Sequence, residues 1–206
     1  MQEPIETGGV RGMLHRPGSP NGDAILLTHG AGSNANAPLL VALAGVFADA
    51  GFLVLRYDLP FRYAGSKGPL NAAAQARDRE GILRAVNEMR KLAKGKIIAG
   101  GHSYGGRQTA TAAADHPDMA AGLLLLSYPL HPPDKPQQLR TDFFPKLQTP
   151  ALFVHGSRDP FGSMEELRAA LRLIPAKTDL LAVEGAGHDL KAAARMGEAI
   201  RQRMLF

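Results

Sequence analysis

Three residues with the side chains of a nucleophilic catalyst each follow a short apolar segment of the chain. Ser103 comes after KIIAG, Asp159 after ALFVHG and His188 after DLLAV. A serine hydroxyl is a weak nucleophile until a neighbouring base takes its proton, and a neutral imidazole does this near pH 7. A carboxylate then holds the imidazole in the right tautomer and stabilises the imidazolium that forms. The order Ser, Asp, His therefore predicts Ser103 as nucleophile, His188 as general base and acid, and Asp159 as the residue that orients it.

The residues around Ser103 form the pattern Gly-x-Ser-x-Gly, between a predicted strand and a predicted helix of small residues, GRQTATAAA. Such a tight turn strains the serine backbone and brings neighbouring chains close, so Gly101 and Gly105 have a steric purpose. The pattern alone also fits a plain turn that caps a helix, and Asp159 or His188 alone fits a loop residue. Their joint order, each near the end of its own strand, favours the catalytic interpretation.

The segment from His29 to Gly32, of sequence HGAG, follows the apolar segment AILLT. A tetrahedral intermediate of acyl transfer carries negative charge on oxygen, and backbone N–H groups that converge on that oxygen stabilise it. We expect one donor from Tyr104, the residue after the serine, and a second from Ala31, with Gly32 as the alternative. The HGAG pattern alone is also typical of a flexible turn.

Short apolar segments alternate with helical patterns along most of the chain, which is typical of an α/β domain with a mainly parallel sheet. We predict a single domain over 1–206, folded as a three-layer α/β/α sandwich with about six to seven strands. Residues 10–15 are predicted as an irregular edge strand or hairpin. The predicted core strands are 24–28, 52–57, 96–100, 122–127, 151–155 and 179–183. The predicted helices are 38–50, 72–93, 104–115, 164–173 and 190–204.

The segment 128–149 interrupts this alternation with closely spaced prolines, which forbid a long helix. We predict an ordered excursion rather than a helical cap over the site. A short excursion leaves the site shallow and open, which favours small esters, or exposed groups on larger substrates, over deeply buried long-chain lipids.

Composition excludes several other kinds of site. The absence of cysteine excludes disulfides, thiolate zinc sites, iron–sulfur clusters and a cysteine nucleophile. His15, His116 and His155 have no partners at metal-ligand spacing, and no dinucleotide or P-loop glycine pattern occurs, so neither a metal nor a cofactor is predicted.

The charge and hydropathy patterns bear on partners and location. The 24 Lys and Arg residues exceed the 19 Asp and Glu residues and give a net charge of +5, but they are scattered among the acids. This favours solvated helix faces over a nucleic-acid surface. No apolar segment approaches the roughly 20 residues of a membrane span, and the N-terminus has no hydrophobic signal segment. We therefore predict a cytoplasmic protein with neither a membrane nor a nucleic-acid partner, while its oligomeric state stays open.

Several loop residues after the predicted strands have side chains suited to recognition or packing. His102 is expected to pack in the elbow rather than act as a second base. Arg107 is expected to form a structural ion pair with Asp58, with recognition of a substrate carboxylate as the alternative. The expected substrate-binding residues are His29, Tyr128, His131 and Phe161.

The segments THGAGSN, RYDLPF, GGHSYGGR, YPLHPP and VHGSRDPFG, in this order over roughly residues 8–200, resemble the α/β-hydrolase superfamily. More narrowly, they resemble a small, nearly capless bacterial group of dienelactone-hydrolase-like proteins, and also a domain of a eukaryotic chromatin-complex subunit. The resemblance implies an α/β-hydrolase fold with a minimal cap and a serine hydrolase with the triad Ser103, Asp159 and His188. Dienelactone hydrolases proper typically carry a cysteine nucleophile, whereas this chain has a serine at that position.

The leading functional hypothesis is hydrolysis of a small-molecule carboxylic ester through an acyl-enzyme on Ser103. Amide or thioester hydrolysis would use the same residues, and the sequence does not separate these reactions. A catalytically idle module for protein interaction is the second class. An intact triad argues against it, because a scaffold has no physical need for His188.

Overall fold

One mixed sheet of eight strands organises the fold. It is seen in a computed structural model that describes residues 1–65 and 71–204. The strands are β1 (Gln2–Thr7), β2 (Val10–His15), β3 (Ala24–Thr28), β4 (Leu53–Tyr57), β5 (Ile97–His102), β6 (Gly122–Leu126), β7 (Ala151–Gly156) and β8 (Thr178–Val183). Their order across the sheet is β1-β2-β4-β3-β5-β6-β7-β8.

The N-terminal hairpin is the antiparallel part of the sheet. β1 pairs with β2, and β2 with β4, in antiparallel register, whereas β3 to β8 pair in parallel. Gly8 and Gly9 at the hairpin turn have φ angles of 56° and 75°, in the left-handed region that favours glycine. The hairpin brings the sheet to eight strands, slightly more than the number predicted.

Helices cover both faces of the sheet. On one face lie α1 (Pro38–Asp49) and α6 (Gly197–Arg203); on the other lie α3 (Ala72–Arg90), α4 (Tyr104–Asp115) and α5 (Met164–Leu171). The single turn α2 (Pro60–Tyr63) follows β4, and 3₁₀ turns occur at Pro117–Met119, Phe144–Lys146 and Lys191–Met196. This arrangement is the predicted three-layer α/β/α sandwich.

β6 shows why the central strands are continuously apolar. Leu123 and Leu125 face the layer of α3, α4 and α5, while Leu124 and Leu126 face the layer of α1 and α6. All four are fully buried. Successive side chains of a strand point to opposite faces, so a strand covered on both sides needs apolar residues at every position.

Several predicted element boundaries differ from the structure. The helix predicted over 72–93 ends at Arg90, the helix predicted over 164–173 ends at Leu171, and the strand predicted over 96–100 is Ile97–His102. The strand predicted over 122–127 ends one residue earlier because Ser127 has a φ angle of 46°, which is incompatible with extended backbone. The α-helix predicted over 190–204 is instead a 3₁₀ turn, Lys191–Met196, followed by α6, and Leu190 lies outside both because its φ angle of 48° is left-handed.

The segment 128–149 forms no helical cap. Its regular element is the 3₁₀ turn Phe144–Lys146, and Phe144 packs against Tyr128 and Phe153 in the core. The cap over the sheet is therefore minimal, as the sequence predicted. Among the described residues, no helix has both the length and the apolar character that crossing a bilayer requires.

Candidate active site

Ser103 occupies a sharp elbow between β5 and α4. Its φ angle is 52° and its ψ angle is −118°, a strained conformation that costs a non-glycine residue on the order of 1–3 kcal/mol. The elbow is held on both sides, because Ser103 N–H donates to Leu126 O (2.8 Å) and Arg107 N–H donates to Ser103 O (2.9 Å). The strain therefore places the serine hydroxyl clear of the chain, beyond the carboxyl end of the sheet.

Gly101 and Gly105 permit this elbow because other backbone passes close to them. A Cβ atom at Gly101 would lie 2.7 Å from Thr28 O. A Cβ atom at Gly105 would lie 2.5 Å from His29 O. Real Cβ atoms do not approach backbone oxygen so closely, so the glycines of the Gly-x-Ser-x-Gly pattern have the steric purpose expected of them.

The structure brings Ser103, His188 and Asp159 into one hydrogen-bonded chain. The Ser103 hydroxyl lies 2.7 Å from Nε2 of His188, oriented for donation to that nitrogen. His188 Nδ1 lies 2.8 Å from Oδ2 and 3.0 Å from Oδ1 of Asp159, so its N–H donates to the carboxylate. A ring that donates from Nδ1 has Nε2 free to accept a proton, which is the tautomer a general base needs.

The Asp159 carboxylate is fully buried behind the His188 ring. Burial alone would raise its pKa, but hydrogen bonds from the His188 ring and from Phe161 N–H (2.9 Å) outweigh burial and hold the pKa of Asp159 below its ordinary value. Phe161 also stacks on His188, with ring centroids 4.2 Å apart. The carboxylate is therefore ionised and fixed where it would stabilise a positive charge on His188.

Two backbone N–H groups are available beside Ser103. Ala31 and Tyr104 both line the cavity at the serine, and neither N–H donates to an acceptor in the part of the chain that the structure describes. Tyr104 is also the first residue of α4, where the helix dipole favours negative charge. Gly32 lines the same cavity next to Ala31. These groups are the donors that an oxyanion would require.

A cavity of about 460 Å³ opens over Ser103. Its wall combines the HGAG turn, the elbow, the segment 128–149 and the His188 loop. The residues that line it are Gly30, Ala31, Gly32, Ser33, His102, Ser103, Tyr104, Arg107, Pro129, Arg140, Phe161 and His188.

This geometry can be compared with known proteins. A family model described as an alpha/beta hydrolase domain matches residues 21–205. The chain belongs to the alpha/beta hydrolase family. Within it, Est1E from Butyrivibrio proteoclasticus has a similar structure, with a TM-score of 0.79 and 21% identity over 99% of this chain and 97% of that one. The dienelactone hydrolase from Anabaena variabilis is similar with a TM-score of 0.72 and 19% identity over 98% and 93% of the two chains.

A relative by sequence is a Salmonella typhimurium protein that bears the provisional name carboxymethylenebutenolidase. It is 33% identical to this hydrolase over 110 residues, which are 50% of this chain and 39% of the relative. The chain therefore matches well under two thirds of that relative's length.

Of the four side chains expected to bind substrate, only Phe161 lines the cavity of this hydrolase. His29 is fully buried, donates from Nδ1 to Gly30 O (2.8 Å) and accepts at Nε2 from Leu59 N–H (3.1 Å). Its ring turns into the core against Phe61, with centroids 5.5 Å apart. His29 therefore supports the turn through its backbone position and does not contribute its side chain to the cavity wall.

Tyr128 and His131 also turn away from the cavity. The Tyr128 ring is buried against aromatic side chains, and its hydroxyl donates to Arg140 O (2.5 Å). His131 is buried, donates from Nδ1 to Pro132 O (2.8 Å) and has Nε2 3.6 Å from Glu166. Neither side chain lines this cavity, and both hold the backbone of the segment 128–149 through hydrogen bonds.

The ion pair expected between Arg107 and Asp58 does not form. Asp58 accepts from Ala35 N–H (2.6 Å) and lies 3.4 Å from His29 Nε2, so it holds the loop after the HGAG turn. The Arg107 guanidinium instead lies over the Tyr104 ring, 5.8 Å from its centroid, and lines the cavity. The prediction was wrong because it rested only on the opposite charges of Arg107 and Asp58 and on their expected position near the same sheet edge.

Two residues near the site carried no signal in the sequence. Asp78 is fully buried in α3 and accepts from Tyr104 Oη–H (2.6 Å) and Phe61 N–H (3.0 Å), which anchors the start of α4. Burial raises the pKa of Asp78 above its ordinary value. Arg140 reaches the cavity from an irregular segment where no spacing singles it out.

Within residues 1–65 and 71–204, no group of three or more His, Asp or Glu side chains is arranged to hold a metal.

Proposed function

We propose that this protein is a serine hydrolase that cleaves carboxylic esters through an acyl-enzyme on Ser103. The observation that carries the proposal is the continuous hydrogen-bonded chain from Ser103 Oγ through both nitrogens of His188 to the buried Asp159. This chain can activate the hydroxyl, accept its proton and stabilise the resulting imidazolium. A plain helix-capping turn would require none of these contacts.

The expected reaction has two halves. Ser103 Oγ attacks the ester carbonyl carbon while His188 Nε2 takes the hydroxyl proton, and the carbonyl oxygen becomes an oxyanion between the N–H groups of Ala31 and Tyr104. The intermediate then breaks its bond to the alcohol oxygen, which leaves with the proton from His188. His188 Nε2 next takes a proton from water while the water oxygen attacks the acyl carbon. The second intermediate breaks its bond to Ser103 Oγ, which receives the proton from His188, and the acid leaves. Throughout, Asp159 stays ionised and orients the imidazole.

The size and enclosure of the cavity support small esters or exposed ester groups as substrates. The cavity of about 460 Å³ lies at the small end of the range typical for ligand sites. The segment 128–149 adds no helices above it that could enclose a long acyl chain. We therefore expect acetyl and butyryl esters to be cleaved with a higher kcat/KM than long-chain esters, and the reverse order would contradict this substrate class.

The first test is the intact-protein mass after incubation with a fluorophosphonate probe, which modifies activated serines. We expect a single adduct that is absent in Ser103→Ala and in His188→Ala. Ser33→Ala is the matched control, because Ser33 also lines the cavity and its loss should leave the adduct in place. Absence of an adduct on the folded wild-type protein would overturn the proposal in favour of an idle interaction module. Labelling together with faster cleavage of matched amides or thioesters would redirect it to those substrates.

A further inference from the structure

The cavity over Ser103 has a positively charged side that the ester reaction itself does not use. Arg107, from the first turn of α4, and Arg140, from the segment 128–149, both line it. No aspartate or glutamate is among the described residues of its wall. Two guanidinium groups thus share one small cavity without a carboxylate to balance them.

Neither arginine forms an ion pair with an Asp or Glu side chain in the described part of the chain. Arg140 donates from Nη1 to Pro129 O (3.2 Å), while Arg107 contacts the Tyr104 ring through its guanidinium. A guanidinium carries five N–H donors, so most of these donors stay available. Asp142 is exposed two residues beyond Arg140, and no ion pair joins it to either arginine.

The two positive charges are close enough to affect each other. Burial lowers the pKa of Arg140, and the charge of Arg107 lowers it further. Both arginines are half-buried. Half-buried like charges repel each other, and an anion between them would relieve that repulsion.

We propose that Arg107 and Arg140 form an anion subsite beside Ser103, and that the preferred ester carries a carboxylate or phosphate group in addition to the ester. Planar guanidinium groups bind such oxyanions with paired, charge-assisted hydrogen bonds. Both arginines and Ser103 line one cavity, so an ester can occupy the subsite while its carbonyl lies at Ser103. This inference rests on the proposed ester hydrolase activity and assigns its substrate class.

The test compares esters that differ in one charge. Mono-4-nitrophenyl adipate ends in a carboxylate, and its terminal amide is a neutral ester of the same shape. The wild-type protein should cleave the carboxylate with a kcat/KM about tenfold higher or more, an advantage that falls as salt is added. A third ester that ends in a phosphate monoester shows whether the subsite favours carboxylate or phosphate.

Variants of Arg107 and Arg140 test whether these two residues cause the preference for the anionic ester. Arg107→Gln and Arg140→Gln should each lower kcat/KM for the anionic ester by a larger factor than for the neutral ester, so that the ratio of the two values falls. Arg107→Lys and Arg140→Lys should keep part of that advantage, which separates lost charge from a folding defect. Arg172→Gln is the matched control, because Arg172 is exposed after α5 and outside the cavity, yet its loss removes the same charge.

The outcomes separate this inference from the proposed function. Equal cleavage of the charged and neutral esters by a protein that is labelled at Ser103 would overturn the subsite and leave the hydrolase proposal standing. If no ester is cleaved, binding of benzoate against benzamide, and of inorganic phosphate, still decides the subsite. Anion binding lost in Arg107→Gln and kept in Arg172→Gln would support it, and no anion binding by the wild type would overturn it.

Discussion

His102 donates a hydrogen bond from Nε2 to the backbone carbonyl of His188, across 2.7 Å. The residue before the proposed nucleophile thus holds the loop that carries the proposed base. Burial lowers the pKa of His102, which keeps the ring neutral and suits a single donor at Nε2. The ring centroids of the two histidines are 5.2 Å apart, and the described hydrogen bond of the His102 side chain goes to the backbone of His188.

Replacement of His102 by Phe should therefore weaken catalysis without removing it. Phe keeps the ring but loses the donor, so the His188 loop loses one anchor and its imidazole is positioned less accurately. We expect kcat on a short-chain ester to fall by about three- to tenfold, in line with one lost hydrogen bond, while KM changes little. His116→Phe at the exposed end of α4 is the control. An unchanged kcat would show that the contact does not position the base.

Ser103 and His188 should behave as one unit in mutational kinetics. Ser103→Ala and His188→Ala are each expected to lower kcat by about 10⁴- to 10⁶-fold, because each removes the same activated nucleophile. The double variant should then be scarcely slower than either single variant. Steady-state kinetics on one ester for the three variants decides this, and multiplicative losses would contradict a coupled pair.

Gly105 offers a test of the elbow that removes no functional side chain. In Gly105→Ala the new methyl group meets His29 O and Thr28 Cγ2, which belong to the adjoining backbone and a fully buried strand residue. We expect a loss of about 1–3 kcal/mol in the free energy of unfolding, together with a large loss of esterase activity. Gly45→Ala in α1 is the matched control, since a Cβ there meets nothing within 4 Å. In urea unfolding, Gly45→Ala should leave the free energy of unfolding unchanged or raise it by up to about 1 kcal/mol.

The proposed triad could be predicted from the sequence because the ends of parallel strands lie at the same edge of a sheet. Ser103, Asp159 and His188 each lie shortly after a core strand, and parallel strands deliver such residues to one edge of the sheet. The direction in which a side chain points at that edge is set by the turn. His29 and Tyr128 also follow core strands directly, yet their rings enter the core.

Side-chain positions in the segment 128–149 were even harder to predict from the sequence. Arg140 reaches the cavity because its N–H donates to Leu130 O (2.8 Å) and its carbonyl accepts from the Tyr128 hydroxyl. These contacts join residues ten or more positions apart in a segment without periodicity. No local pattern encodes them, so the sequence, which offered Arg107 as an alternative partner of a substrate carboxylate, did not single out Arg140.

The contact between His15 and Arg56 predicts how stability depends on pH. Arg56 is buried in β4 and donates from Nε to His15 Nε2 across β2 and β4 (2.8 Å), so His15 must be unprotonated at that atom. Arg56 also donates from Nη1 to Ala35 O and to Asn36 Oδ1 (3.2 Å), which ties it to the loop after the HGAG turn. Burial, with the charge of Arg56, lowers the pKa of His15 from 6.5 to about 4.

A histidine with a lowered pKa in the folded state stabilises the fold above its ordinary pKa and loses that contribution as the pH falls. Between pH 6.5 and about 4, the unfolded chain binds a proton at His15 that the folded chain does not. The free energy of unfolding should therefore fall across this window, by up to about 3 kcal/mol from this residue. In His15→Gln the amide oxygen can still accept from Arg56 but does not titrate. Urea unfolding at pH values above and below this window should show a smaller decrease for His15→Gln than for the wild type, while the exposed control His116→Gln follows the wild type. Equal decreases in His15→Gln and the wild type would contradict the buried, neutral His15.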